Sequence, residues 1–536
     1  MTTLPSDVPV VVDRAGAAPL AVQISGQLHS AVTSGVLRAG DRLPSSRDLA
    51  VSLGVSRTVV TNAYARLFAE GWLEGRHGSG TYVANVTPPA VLHRTSTERN
   101  LVSPGRPVPP PSPAARPLLS EAPEAPVPAD GPDTMAGFAI GPARGDIGGY
   151  GGSSPRGITA LEPGISYPEG IEPASWRRAW RQAGAHLPSR WPDPHGLPEL
   201  REEIAAYLRR SRGLAVAPAQ VLITQGVSSG LALLAEALLA PGDKAGIEEP
   251  GFPTGREVLR RAGARVVPCR VDAHGILPEE LPGDLKLLYT TPAHQYPLGG
   301  RLPVSRRQAL IAWARSTGAL VVEDDYDSEF RYDVGPLPAL HSMDPDVIVY
   351  LGTASKVLAT AFGAGWLVAP PGLVEQLAAL RPRLGLRIPE PVQHAMLALL
   401  RSGDLERHVR EMRLEYARRR AALVDALTHP GPDAATTAGA ASDGDHRARV
   451  PFRLLGDTAG MHVVLELPAD YPAARLVEAA AARGIAVYSL ERYFAGKPTM
   501  NGLILGYGSV TLPRLRRAAA ELARLLDVGA VGRNPE

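Results

Sequence analysis

Thirteen prolines fall between residues 85 and 134 of this 536-residue chain, among them the run Pro109-Pro110-Pro111, and few aromatic side chains accompany them. Such a segment removes backbone donors and cannot bury enough apolar surface to offset its ordering entropy. It reads as a disordered, semi-rigid polyproline spacer, with a proline-recognition ligand as the sharper alternative. No single core can run across it, so the chain divides into a small part at 10–84 and a large part at 135–530. A second polar stretch at 430–449, rich in Ala, Gly, Asp and Thr, reads as a loop insertion.

At +2 the formal charge is nearly balanced, so no overall field draws the chain to nucleic acid or acidic lipid. One cysteine, Cys269, excludes an internal disulfide framework. No apolar run is long enough to span a bilayer, and the first thirty residues lack a basic stretch followed by an apolar one, so a soluble cytoplasmic protein with no membrane partner is expected. Only four lysines, Lys244, Lys286, Lys356 and Lys497, stand among 56 basic residues, which makes each one easier to judge.

In the small part, Leu20, Ile24, Leu28 and Val32 recur at helical spacing, and Gly35 stops the pattern. Ser45 can cap a second helix with Leu49, Ala50 and Leu53 on its inner face. Gly54 then permits a tight bend before a new cap at Ser56. A third helix turns Val59, Val60, Ala63, Tyr64 and Leu67 inward, and Gly71 ends it. Its exposed first turn, Ser56-Arg57-Thr58, suits a recognition helix, because amino-terminal residues and amides face base edges and phosphates. Residues 72–83 read as a hairpin turning at Gly78-Ser79-Gly80, with Arg76 and His77 placed to reach the minor groove or backbone. Seven arginines against five acids over 10–84 is weak as charge, and an ordinary helical domain would show as much.

In the large part, helical patterns at 198–212, 229–239 and 305–317 alternate with apolar runs at 221–224, 285–290, 320–322 and 347–351. That alternation implies a mainly parallel sheet covered by helices, with ligands beyond the carboxyl ends of the strands. Gly226-Val227-Ser228 follows one run and opens a helix whose amides can bind a phosphate. Glu323-Asp324-Asp325-Tyr326 follows another, and Thr353-Ala354-Ser355-Lys356 a third. Pyridoxal phosphate needs such a set. Lys356 supplies the amine that condenses with the aldehyde, and Asp324 or Asp325 the carboxylate that keeps the pyridine nitrogen protonated. Tyr326 offers a phenol near the ring hydroxyl. Thr353, Ser355 and the Gly226 turn offer hydroxyls and amides for the phosphate, and Phe252 a ring to stack. Singly, each is more often a surface lysine, a capping aspartate or a core aromatic; the ordered series is what argues.

The string GVLRAGDRLPSSRDLAVSLGVSRTVVTNAYARLFAEGWLEGRHGSGTYV resembles the GntR-type winged helix-turn-helix. That resemblance implies DNA contacts from Ser45, Arg47, Ser56, Arg57, Thr58, His77 and Gly78, with Leu43, Leu49, Val55, Tyr64, Leu67 and Trp72 as core. DPHGLPELREEIAAYLRRSRG, ITQG, EEPGF, TTPAHQYPLGG, VEDDYDSEFRY and YLGTASKVLA stand in the order seen in fold-type I aminotransferases. Together the two parts resemble the MocR/GabR family of regulators. The resemblance implies a multidomain chain: a winged helix and an α/β pyridoxal-phosphate-dependent transferase fold with a smaller α+β subdomain from about residue 400. It also implies a head-to-tail homodimer on double-stranded promoter DNA, answering to a small amine, an amino acid or pyridoxal phosphate itself.

Two departures from the family follow. The arginine usually seven residues after the lysine is Gly363, and the tyrosine that usually reaches the phosphate across the dimer is Trp191. Loss of a bidentate arginine removes roughly 2–3 kcal/mol net from a phosphate site. The arginine that grips a substrate carboxylate in true aminotransferases is not evident near Gly502-Leu503, and Arg492 is the substitute candidate. His294 is implied near the ring hydroxyl. Three readings result: a cofactor-responsive transcription factor, a working aminotransferase with a DNA-binding arm, and a regulator whose cofactor binding is weakened or lost.

Overall fold

A computed structural model describes residues 10–14, 19–33, 36–70, 72–76, 80–84, 158–332, 338–429, 450–456 and 459–527. The linker at 85–134, the stretch at 430–449, Gly35, Gly71, His77 and Gly78 lie outside the described residues.

Three helices, α1 (Leu20–Thr33), α2 (Ser46–Leu53) and α3 (Arg57–Glu70), pack around Ile24, Leu28, Leu49, Val60, Tyr64 and Leu67. The expected sequence spacing is what places these side chains on one face each. Ser45 caps α2 by accepting from the Asp48 amide, and Gly54 closes it in the left-handed region at φ 62°. Val55 is only half-buried, whereas Leu43 and Trp72 are buried with the rest of the core. The wing consists of β2 (Leu73–Arg76) and β3 (Gly80–Val83), and β1 (Arg42–Leu43) adds a third antiparallel strand on β3. That two-residue strand is too short to leave a periodic signal in the sequence.

The large domain is built on an eight-stranded sheet. Its strands are β4 (Val221–Thr224), β5 (Lys244–Glu249), β6 (Arg265–Asp272), β7 (Gly275–Ile276), β8 (Leu287–Thr290), β9 (Leu320–Asp325), β10 (Ile348–Thr353) and β11 (Gly365–Val368), in the order β4-β11-β10-β9-β8-β5-β6-β7. From β10 through β6 neighbouring strands are parallel, while β11 runs antiparallel to both its neighbours and β7 antiparallel to β6. Both faces are buried: Val322, Val349 and Leu351 join one core with Leu231 and Leu234, whereas Val321 and Ile348 join another with Leu310 and Ala314. This is why the strands read as continuous apolar runs. Full burial of each such leucine contributes about 2–3 kcal/mol. Helix α4 (Pro198–Arg212) precedes β4, α5 (Val227–Leu238) follows it, and α6 (Val304–Thr317) precedes β9.

A four-stranded antiparallel sheet of β12 (Arg453–Leu455), β13 (His462–Glu466), β14 (Tyr488–Ser489) and β15 (Gly502–Gly506), in the order β12-β13-β15-β14, forms the smaller subdomain. Thr159–Ala160 pairs in parallel with Ile485–Ala486, so the start of the large domain is tied to its carboxyl-terminal part. No helix among the described residues is long and apolar enough to cross a membrane.

Candidate functional site

A cavity of about 260 Å³ opens beyond the carboxyl ends of the sheet strands. Lys356, Asp324, Tyr326, Gly226, Val227, Ser228, Phe252, Thr353, Ser355 and Arg492 all line it. Residues at the ends of four strands, β4, β5, β9 and β10, thus converge, as expected where parallel strands deliver their last residues to one edge.

Lys356 donates from Nζ to the Gly164 carbonyl at 2.5 Å. Burial pulls its ammonium below the ordinary lysine value, against the opposing pull of Asp324, Asp327 and Glu162. A larger share of the amine is therefore neutral and able to act as a nucleophile.

Successive strand residues point to opposite faces, and this separates the two aspartates. Asp325 turns from the cavity into a buried network, accepting from Arg212 Nε at 2.6 Å and Tyr350 Oη at 2.7 Å. Asp324 lines the cavity, with one oxygen bonded to the Tyr289 hydroxyl and Oδ1 buried without a partner. Burial pushes its carboxyl up to about 8, the nearby Asp325 and Asp327 adding to the shift while Tyr289 and Lys356 oppose it. An orphaned acceptor of this kind fits a ring N–H. The donor set therefore agrees with pyridoxal phosphate at its pyridine end.

At the opposite end Gly226 holds φ 131°, a conformation few other residues adopt, and opens α5. The first amides of α5 have no intrahelical acceptors and point to where an anion would sit. Ser228, Ser229, Thr353, Ser355 and Thr360 surround that end, and Thr360 Oγ1 is buried without a partner. Phe252 lies beside Tyr289 and Tyr296, with ring centroids 6.2 and 6.1 Å away. Arg492 is the one guanidinium among the lining residues, and it rests over the Tyr488 and Tyr493 rings at 5.1 and 5.7 Å.

Two candidates lie elsewhere. Trp191 is 84% exposed and outside this cavity, and His294 stands behind Tyr326 rather than on the wall, its Nδ1 2.9 Å from the phenol oxygen. The position of the absent arginine, Gly363, takes the left-handed conformation at φ 64° and a side chain there would meet nothing within 4 Å. Sequence reasoning missed Glu162, Thr291, Tyr296 and Tyr493, which also line the cavity. Tyr296 sits inside the quoted TTPAHQYPLGG string and could have been found there; Glu162 lies in no pattern.

In the small domain Ser45, Arg47, Ser56, Arg57 and Thr58 are exposed at the amino-terminal ends of α2 and α3. Arg57 Nε donates to Ser46 Oγ at 3.4 Å, which ties the two helix starts together. Ser45 Oγ also donates to Asp48 at 2.7 Å, so part of its hydrogen-bonding capacity serves the cap.

A winged helix joined to an aminotransferase-type domain defines a transcription regulator with an aminotransferase-like body. Residues 20–83 match the gntR family of bacterial regulatory proteins, and residues 166–469 match aminotransferase class I and II. The chain is 34% identical over 527 residues, 98% of its own length and 100% of the relative's, to the HTH-type pyridoxine biosynthesis transcriptional regulator PdxR of Corynebacterium glutamicum. It is 30% identical to the probable rhizopine catabolism regulatory protein MocR of Rhizobium meliloti, covering 96% of this chain and 95% of that one. Among solved structures, an archaeal alanine:glyoxylate aminotransferase superposes with a TM-score of 0.61 at 25% identity, over 69% of this chain and 90% of its own. The chain belongs to the MocR-type branch of the GntR regulators.

Proposed function

We propose that this regulator binds pyridoxal phosphate through Lys356 and that the ligand state of the cavity sets its hold on promoter DNA, in a head-to-tail homodimer. The observation that carries the reading is the buried, unpartnered Asp324 Oδ1 in the same cavity as Lys356. When bound, the cofactor supplies an electrophilic aldehyde and an electron-withdrawing ring. Lys356 anchors it, Asp324 holds a proton at the ring nitrogen, Tyr326 faces the ring oxygen, and Gly226, Val227, Ser228, Thr353 and Ser355 receive the phosphate. The effector is a small amine, an amino acid or the cofactor itself, and Arg492 is the group for an effector carboxylate. The coupling required between cavity and reader is only about 1–3 kcal/mol.

The phosphate end supports a specific variant of this reading. With Gly363 in place of an arginine, the hydroxyls and amides around Gly226 are the donors on the phosphate, which favours weaker and more exchangeable cofactor binding. The experiment is a visible absorption titration of the purified protein with pyridoxal phosphate beside Lys356→Ala, coupled to promoter binding with and without cofactor. A saturable band lost in K356A, together with a change in DNA affinity, is expected. Absence of the band, or fast turnover of an amino acid with a keto acid, sinks the reading in favour of a cofactor-free regulator or an enzyme respectively.

A further inference from the structure

Behind Tyr326 lies a pair of residues that the cofactor reading leaves unused. His294 Nδ1 is 3.0 and 3.2 Å from the two oxygens of Asp327 and 2.9 Å from the hydroxyl of Tyr326, and all three side chains are buried. One ring nitrogen is thus shared between a carboxylate and a phenol. A carboxylate can only accept, so its claim on Nδ1 requires the hydrogen to sit there. With Nδ1 as the donor, the Tyr326 oxygen can only accept from it. The phenol's own hydrogen is then left for the cavity.

We infer that Asp327 and His294 form a positioning pair that makes Tyr326 an obligate hydrogen-bond donor to the ligand in the cavity. The inference rests on the cofactor reading above, with the ring oxygen of pyridoxal phosphate as the acceptor. Burial, followed by Asp327 and the other groups facing it, keeps the Tyr326 phenol protonated well above its ordinary range, so the hydrogen is there to give. The site is also closely built. Gly460 takes φ 78°, and a Cβ on it would overlap the His294 ring and lie 2.7 Å from Asp327 Oδ2. Neighbouring His462 donates from Nε2 to the Pro297 carbonyl at 2.9 Å and is held neutral, burial pulling it down to about 4, so it does not compete as a cation for Asp327.

The test is the pH midpoint of the visible band of the lysine-bound cofactor, measured on the full-length protein. A donor to the ring oxygen stabilises the form with more negative charge on that oxygen and lowers the midpoint. His294→Gln keeps the Asp327 charge but offers Tyr326 an amide oxygen to donate to, which diverts the hydrogen. A rise of about one pH unit, a tenfold change in the ionisation constant, is expected, as a charge-assisted hydrogen bond is worth that much or more. Tyr326→Phe raises it at least as far, and the H294Q/Y326F double variant matches Y326F alone. Asp324, Glu248 and Tyr296 face Tyr326, and Lys356, His462, Tyr332 and Tyr507 sense Asp327, but all are common to every variant, so the differences isolate the pair. Asp327→Asn serves as a second variant: loss of a negative charge alone would lower the midpoint, so a rise there reports the hydrogen bond. Unshifted midpoints, or an additive double variant, overturn the pair while leaving the cofactor reading intact. No band in the wild type overturns both.

Discussion

Tyr289 donates its hydroxyl hydrogen to one oxygen of Asp324, a residue of the cavity wall, and the other oxygen of that carboxyl group is buried without a partner. A residue satisfied on one side only is built to receive something. The unpaired side has a measurable effect on the ligand-free protein.

Because the folded value of Asp324, about 8, lies above its ordinary 3.8, the fold prefers the protonated acid. Below 3.8 the group contributes no penalty; the penalty grows as pH climbs from there to about 8 and then levels off. Glu323 and Glu329, pushed up to about 7 chiefly by burial, act in the same direction. The contribution of these acids to the stability of the ligand-free protein is therefore expected to fall through the upper part of this window, roughly pH 5 to 8, while buried His341, His408 and His462, pulled down by burial, act the other way at lower pH. Asp324→Asn raises the Tm at pH 8 and flattens the slope without abolishing it, while weakening the cofactor band. A Tm difference between Asp324→Asn and wild type that fails to widen as pH rises would refute the assignment.

Arg212 and Asp325 are each about 1% exposed at the side chain and 2.6 Å apart. Arg212→Met strands Asp325 among Glu323, Glu329 and Tyr350. A loss of roughly 3–5 kcal/mol is expected from denaturant titration, as when one partner leaves a buried ion pair.

Gly460→Ala forces both a Cβ into the His294–Asp327 pair and an L-residue into the left-handed region. Roughly 2–4 kcal/mol of stability should be lost. Gly363→Ala, equally left-handed but facing open space, should lose only about 1 kcal/mol.

Arg57→Ala should weaken binding to a promoter fragment, shallow the log–log salt slope by about one, and leave the cofactor spectrum unchanged. Fluorescence anisotropy at several salt concentrations reads the first two, and visible absorption the third. An unaltered slope would mean that Arg57 serves only its Ser46 contact.

Fold and site were legible in the sequence to different depths. Strand 221–224 and helix 198–212 appear where apolar runs and periodicity put them, because burial on both faces writes itself into composition. Strand β11, Gly365–Val368, was not singled out: it is as short and as buried as β4, but it opens on a glycine, and its antiparallel place between β4 and β10 breaks the alternation of strand and helix. That Lys356, Asp324 and Tyr326 gather at one cavity was legible because ordered motifs surround them. The choice between Asp324 and Asp325 was not, since it depends on which face of β9 meets the cavity. Nor was the bond from His294 to Asp327, 33 residues apart and joined only by the neighbouring positions of β8 and β9 in the sheet.

The hydrogen bond from Lys356 to Gly164 has one more implication. Residues 85–157 connect the reader to the large domain, and Gly164 lies just beyond their end, in a stretch that Ser166 also fastens to the Ser355 carbonyl at 3.1 Å. Whatever occupies the Lys356 amine takes it away from Gly164. One amine therefore serves either as a tie across the cavity to Gly164 or as the group that meets a small molecule, one role at a time.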